Sequence, residues 1–193
     1  MVARDRSVDS ALLTAPVDRV TIERLAALIR PVPDFPAPGI VFRDITPLLA
    51  DADAFAQCIE RLAEPWRDAH IGAVCAVEAR GFIFGAALAT ALGAGFVPLR
   101  KPGKLPPPVA SVDYELEYGR DRLEVRDDAL RGGERVLIAD DVLATGGTLC
   151  AARALVERLG AQVVGAGVLI ELDALGGRAA WGGAAPLHAL LHY

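Results

Sequence analysis

An alternation constrains the fold of this chain more than any other feature. Continuous apolar runs, too short for helices, take turns with stretches of helical spacing. Ile71 to Val77 reads as a buried strand, Phe82 to Leu92 as a helix and Gly95 to Leu99 as a strand. Arg135 to Ala139 is again a strand, Thr148 to Leu159 a helix and Val163 to Leu172 a strand. A strand apolar on both faces must be covered on both faces. The alternation therefore implies an α/β fold, a mainly parallel twisted sheet with helices on both sides. Tyr114 to Tyr118 and Arg122 to Arg126 look like a two-stranded excursion turning at Gly119. In parallel sheets of this kind ligands bind beyond the carboxyl ends of the strands.

The flanking segments are less regular. Residues 1 to 17 read as a loose extension. Ile22, Leu25, Ala26 and Ile29 follow helical spacing, with Asp18 as a candidate N-cap. PVPDFPAPG holds four prolines, which excludes regular helix and central strand. Phe55, Ile59, Leu62 and Trp66 mark an amphipathic helix that should kink or fray at Pro65. The 193 residues suit one domain with a sizeable core, and 53% hydrophobic residues exclude disorder for the body.

Composition also removes several functions. A net charge of −5 argues against a general nucleic-acid or membrane-surface role. Gly81 to Leu99 runs 19 residues without a charge, but five glycines and prolines break it, so a buried helix followed by a buried strand is expected rather than a membrane span. Charges interrupt residues 1 to 19, so no signal peptide is expected. Cys58, Cys75 and Cys150 are widely spaced with no CxxC, which fits a reducing, cytoplasmic setting. His70, His188 and His192 form no metal motif, and the last two read as ordinary C-terminal residues. Ser111 is the last serine and the only one after residue 10, which rules against a serine hydrolase.

Chemistry concentrates in VLIADDVLATGGTL, residues 136 to 149. An apolar strand runs into Asp140 and Asp141. Then come Ala144, Thr145, Gly146, Gly147 and Thr148, and a helix. A helix N-terminus behind a glycine turn is an anion site, because free N–H groups and the helix dipole both favour negative charge. The lysine of a nucleotide P-loop is missing, and so is the GxGxxG spacing. Two carboxylates would repel a phosphate set on them, but they accept well from hydroxyls. The ligand that satisfies both halves is a sugar phosphate, with hydroxyls over the aspartates and phosphate in loop 144–148.

This motif resembles the sugar-phosphate signature of the type I phosphoribosyltransferases. PDFPAPGIVFRDITPLL (33–49), EARGFIFG (78–85), VPLRKPGKLP (97–106), YELEYG (114–119) and VLIELDALGGR (168–178) resemble the adenine-using members, in the same order, from about residue 20 to the C-terminus. The resemblance implies transfer of the 5-phosphoribosyl group from phosphoribosyl pyrophosphate to adenine, giving AMP and pyrophosphate in purine salvage. It implies Mg²⁺ held mainly through the substrate, with no direct protein ligand, and a homodimer. It further implies a phosphoribosyltransferase domain over 18–193 with a flexible lid at about 101–117.

Residue roles follow from the same resemblance. Glu78, Ala79, Arg80, Arg100, Lys101 and Lys104 would meet pyrophosphate, with a non-proline cis bond in the 78–81 turn and Arg100 acting across the dimer. Ala79 stands where a serine is usual. Val41, Phe42, Arg80 and Leu172 would hold adenine, while Arg43, Asp44 and Tyr118 would order loops. Spacing alone cannot choose between Glu115 and Glu117 as the catalytic acid/base, since a strand sends both to one face; the family motif selects Glu117. The lid's cations have no evident partner in sequence, and Lys101 to Val112 shows no strand periodicity. That segment should gain its order from ligands. The alternatives are another base preference within the superfamily and a non-catalytic regulator. VFRDITPLL and LEYG disfavour the first, and an acidic chain that retains Glu117 disfavours the second.

Overall fold

A computed structural model describes residues 16–115, 120–183 and 185–193. The chain divides into two compact units, Met1–Gln57 and Cys58–Tyr193, and the division falls inside helix α3.

In the first unit, α1 spans Pro16–Ala27, and its proline sits where the missing N–H costs nothing. The helix starts two residues ahead of the expected cap, so residues 16 and 17 belong to it and not to the extension. Residues 1 to 15 lie outside the described part. β1 (Arg30–Pro33) and β2 (Val41–Asp44) form an antiparallel ribbon. Pro31 and Pro33 are tolerated there because a two-stranded ribbon always has a free edge. α2 covers Thr46–Ala50 and α3 Ala52–Ala63. Pro65 ends the second: the chain tightens into a 3₁₀ turn, Glu64–Trp66.

In the second unit, β3 (Ala73–Val77), β4 (Gly95–Leu99), β7 (Arg135–Leu143), β8 (Gln162–Glu171) and β9 (Leu187–His192) form one sheet in the order β4-β3-β7-β8-β9, parallel throughout. All five residues of β3 are buried, as its unbroken apolar run requires. α4 (Gly81–Leu92) and α5 (Gly147–Arg158) are the crossover helices. Gly93, at φ +64°, closes α4, and the uncharged 81–99 stretch resolves into helix then strand. Among the described residues no helix is long and apolar enough to cross a membrane. α6 (Gly177–Trp181) is a short turn that buries Trp181. β9 was not anticipated, because LHALLH alternates too weakly to separate strand from loop.

The excursion differs most from expectation. β5 covers Val109–Glu115 and β6 Arg120–Arg126, paired antiparallel. β5 thus begins inside the segment expected to lack regular structure. Ala110 and Val112 pack against the core, an apolar role that the preceding prolines hid. Arg100 bridges to Glu124 through both backbone groups, at 2.8 and 2.7 Å.

Candidate active site

β7 carries the acid pair. Burial of both faces leaves Asp140 only 8% and Asp141 only 5% exposed. Asp140 Oδ1 accepts the Asp141 backbone N–H at 2.9 Å. Burial pushes Asp140 well above its usual carboxylate range, and the neighbouring Asp141 charge adds to the rise. Asp141 is also raised by burial, but Arg80 opposes the shift. Arg80 Nε lies 2.8 Å from Asp141 Oδ2. That distance is an ion pair, yet among the described residues the oxygen has no hydrogen-bond partner of good geometry. It keeps its capacity to accept from a ligand hydroxyl.

The strand ends at Leu143, and Ala144 to Gly146 turn the chain into α5. Gly146 takes φ +87° as N-cap with no side-chain cap bond. An uncapped first turn leaves N–H groups for an anion. Thr145 is exposed and Thr148 half-buried. The turn expected to hold a phosphate thus directly follows the acids expected to hold a sugar.

A second turn runs beside them. The Glu78–Ala79 peptide is cis, in the loop where the resemblance implied such a bond. Arg80 precedes α4, and Gly81 lies so close to the acids that a Cβ there would stand 2.7 Å from Asp140 Oδ1. The 78–81 turn and the acid pair therefore interlock.

The basic residues at the end of β4 are not free. Arg100 forms an ion pair with Glu78, and its guanidinium sits 5.7 Å from the centre of the Phe82 ring. Lys101 pairs with Asp121 and donates to the Tyr114 hydroxyl at 2.8 Å. Burial works against its charge, but these hydrogen bonds prevail and raise it. Gly103 N–H donates to Glu124 at 3.0 Å, and Arg126 donates to the carbonyls of Pro106 and Pro107 at 3.1 and 3.0 Å. The expectation that the lid's cations lack protein partners fails for Lys101, because the β5–β6 hairpin brings Asp121 and Tyr114 to it. Lys104 is exposed. Glu117 and Tyr118 lie outside the described residues.

In the first unit, Val41 is 46% exposed and Phe42 stacks edge-on against Phe35 at 5.2 Å. Asp44 caps Thr46 and receives Arg30 at 2.6 Å. The Thr46 hydrogen bonds, with Arg30, hold its carboxyl at about 2. In the second unit, the Leu172 N–H donates to the Leu143 carbonyl at 2.9 Å, tying the end of β8 to the end of β7 just before the glycine turn. Among the described residues one group has metal-ligand spacing, Glu171, Asp173 and His192. Its buried member, Glu171, is already clasped by Arg178. Sequence reading did not single out Arg178, Glu171 or Gly177 for a role at the site, although GGR after an apolar strand was visible.

A parallel sheet with paired acids at a strand end, followed by an uncapped glycine turn, defines an α/β protein with the layout expected of a sugar-phosphate site. Comparison with known proteins agrees. Residues 48–181 match the phosphoribosyl transferase domain family. The adenine phosphoribosyltransferase of Methylococcus capsulatus is 58% identical over 172 residues, covering 89% of this chain and 100% of that protein. The crystal structure of the enzyme of that name from Rhodothermus marinus superposes with TM-score 0.87 at 49% identity, covering 91% of this chain and 99% of that one. The Saccharomyces cerevisiae adenine phosphoribosyltransferase, complexed with an imino-altritol bisphosphate and adenine, gives 0.84 at 39% identity over 90% and 99% of the chains. The chain belongs to the phosphoribosyltransferase family, among the adenine phosphoribosyltransferases.

Proposed function

We propose that the protein moves the 5-phosphoribosyl group from phosphoribosyl pyrophosphate to adenine, releasing AMP and pyrophosphate, in purine salvage. The observation that carries this reading is the buried pair Asp140 and Asp141 set directly before an uncapped glycine turn, in a chain 58% identical to an adenine phosphoribosyltransferase. The carboxylates accept from the ribose hydroxyls. The 5-phosphate takes the N–H groups and hydroxyls of 144–148.

In the reaction the bond from purine N9 to C1′ forms as the bond from C1′ to pyrophosphate breaks, and the N9 proton leaves the base. The sugar then resembles an oxocarbenium ion. Glu117 is assigned the acid–base work, which contributes roughly 10²–10⁴-fold where such groups are well placed. Val41, Phe42, Arg80 and Leu172 are assigned to the base, and Arg43, Asp44 and Tyr118 to loop order. Arg100, Lys101 and Lys104 meet the pyrophosphate together with the 78–80 backbone. To do so Arg100 exchanges Glu78, and Lys101 exchanges Asp121, for phosphate oxygens. Such closure excludes water from the activated sugar.

The acids beside the phosphate turn are hard oxygen donors. With both committed to ribose hydroxyls, Mg²⁺ would take its ligands mainly from substrate oxygens and water rather than from an all-protein cage. Bound with pyrophosphate, the ion would neutralise charge on the leaving group. We further propose one domain over 18–193 with a lid at 101–117, a cytoplasmic setting and a homodimer. Three free cysteines support the setting. Exposed Ile83 and Phe96, on α4 and edge strand β4, offer apolar surface to a second copy.

The test is product formation from adenine, hypoxanthine, guanine and xanthine, each with Mg²⁺ and the activated ribose donor. AMP from adenine with little product from the others is expected. A site that hydrogen-bonds a 6-amino group leaves buried polar groups unpaired when a 6-oxo purine enters. Comparable turnover of hypoxanthine or guanine overturns the base assignment.

A further inference from the structure

We infer that the Gly176–Trp181 turn is a backing plate for the phosphate turn, and that Gly177 and Arg178 are positioning residues for donor binding. The inference rests on the proposed sugar-phosphate site and adds a second tier to it.

Contact between the two turns is backbone on backbone. A Cβ on Gly146 would stand 2.7 Å from the Gly177 carbonyl and 3.0 Å from Ala180 Cβ. In the other direction, a Cβ on Gly177 would stand 2.3 Å from the Ala144 carbonyl and 2.7 Å from Leu143 Cδ1. Real Cβ atoms do not approach so closely, so each glycine is required by the other turn. Only the missing side chains let residues 144–146 lie flat on 177–180.

The plate is itself anchored from three sides. Arg178 clasps the buried Glu171 carboxylate through Nε, at 3.0 and 3.1 Å, and through Nη2 at 2.5 Å. Its Nη1 donates to the Leu187 carbonyl at 3.0 Å. The fork thus fastens the turn to β8 and β9 together. From α5, Arg153 donates to the Trp181 carbonyl at 2.7 Å and lies 4.8 Å from the centre of its ring. Trp181, 1% exposed, roots the turn in the core. None of these groups is assigned a contact with the donor. They fix where the Ala144–Gly146 backbone sits, and hence where its N–H groups point. A shift of about 1 Å in a positioning backbone can cost on the order of a hundredfold.

The test compares three substitutions. Gly177→Ala pushes on the phosphate turn. Arg178→Met breaks the clasp and leaves the buried Glu171 carboxylate without Arg178, so its Tm is recorded beside its kinetics. Gly165→Ala is the control: its Cβ would meet Trp66 at 2.3 Å, an equally severe clash that leaves the phosphate turn alone. The expected result for Gly177→Ala and Arg178→Met is a KM for the ribose donor raised about tenfold or more, with kcat and the KM for adenine within about threefold. Arg178→Lys should recover part of the loss. The Gly165→Ala control should lower Tm without changing the ratio of the two KM values. Amide hydrogen exchange of the ligand-free proteins reads the same device without any turnover: 144–148 should exchange faster in Gly177→Ala and Arg178→Met, but not in Gly165→Ala. If wild type makes no AMP, the proposed function fails and the exchange measurement still judges the plate. Equal KM ratios in all three variants, or exchange at 144–148 unchanged by Gly177→Ala and Arg178→Met, overturns the inference.

Discussion

Asp140→Asn should move stability and donor affinity in opposite directions. In the ligand-free protein Asp140 is raised well above its ordinary value, first by burial and then by the Asp141 charge. A carboxyl raised in the fold binds its proton more tightly folded than unfolded. Folding stability is therefore lost as pH rises through the folded value. Asparagine cannot ionise, keeps an oxygen for the Asp141 N–H, and removes that loss. The Tm advantage of the variant over wild type should grow from pH 5 to pH 8. Donor binding should weaken. A hydrogen bond to a charged acceptor contributes about 1.5–3 kcal/mol, against roughly 0.5–1.5 for a neutral one. The difference, about 1–1.5 kcal/mol, corresponds to a Kd for the donor roughly five- to tenfold higher. Thermal melts and calorimetric titration at several pH values read both effects. A variant that binds donor as tightly as wild type would refute the placement of ribose on Asp140. A Tm that never exceeds wild type would refute the account of its burial.

Glu117→Gln should leave donor affinity nearly intact and lower turnover, because the amide keeps its size but cannot accept a proton; full turnover would move the acid–base work to Glu115 or away from side chains. Trypsin cleavage after Arg100 and Lys104 should slow when donor and Mg²⁺ are added, while cuts near Arg4 and Arg6 stay unchanged; Asp121→Asn, which releases Lys101, should speed ligand-free cleavage after Arg100. Burial lowers the His188 pKa below 6.5, so the unfolded chain takes the proton first and stability falls as pH drops below that value. Tm should decline more from pH 7.5 to pH 5 in wild type than in His188→Gln, and equal declines would refute the burial effect. If the proposed homodimer forms through Ile83 and Phe96, wild type should sediment as a dimer and Ile83→Asp as a monomer; a monomeric wild type, or an unchanged mass in the variant, would refute that interface.

The sheet was legible because its strands are apolar on both faces. Ala73 to Val77 is buried throughout, Gly93 marks the break between α4 and β4, and β4 departs from the expected buried strand only as an edge strand with Gly95 and Phe96 exposed. The glycine turn between β7 and α5 was legible because strand, acids, glycines and helix stand consecutively. What stayed hidden depends on distant pairing. Lys101 looked unpartnered because Asp121 and Tyr114 reach it only through the β5–β6 register. The 109–112 strand was masked by the prolines before it. Gly177 looked like ordinary punctuation, since its need for a missing Cβ arises from Ala144, more than thirty residues away. The resemblance named Arg80 for pyrophosphate and purine. Its ion pair with Asp141 is a tertiary contact that no spacing reveals.

The central claim is that one strand end holds the sugar and the following turn holds its phosphate. A crystal structure of the protein with AMP tests this most directly. The account predicts the 5′-phosphate among the N–H groups of residues 145–148 and the ribose hydroxyls within hydrogen-bond distance of Asp140 and Asp141. A phosphate bound elsewhere, or ribose hydroxyls turned away from both aspartates, would contradict it.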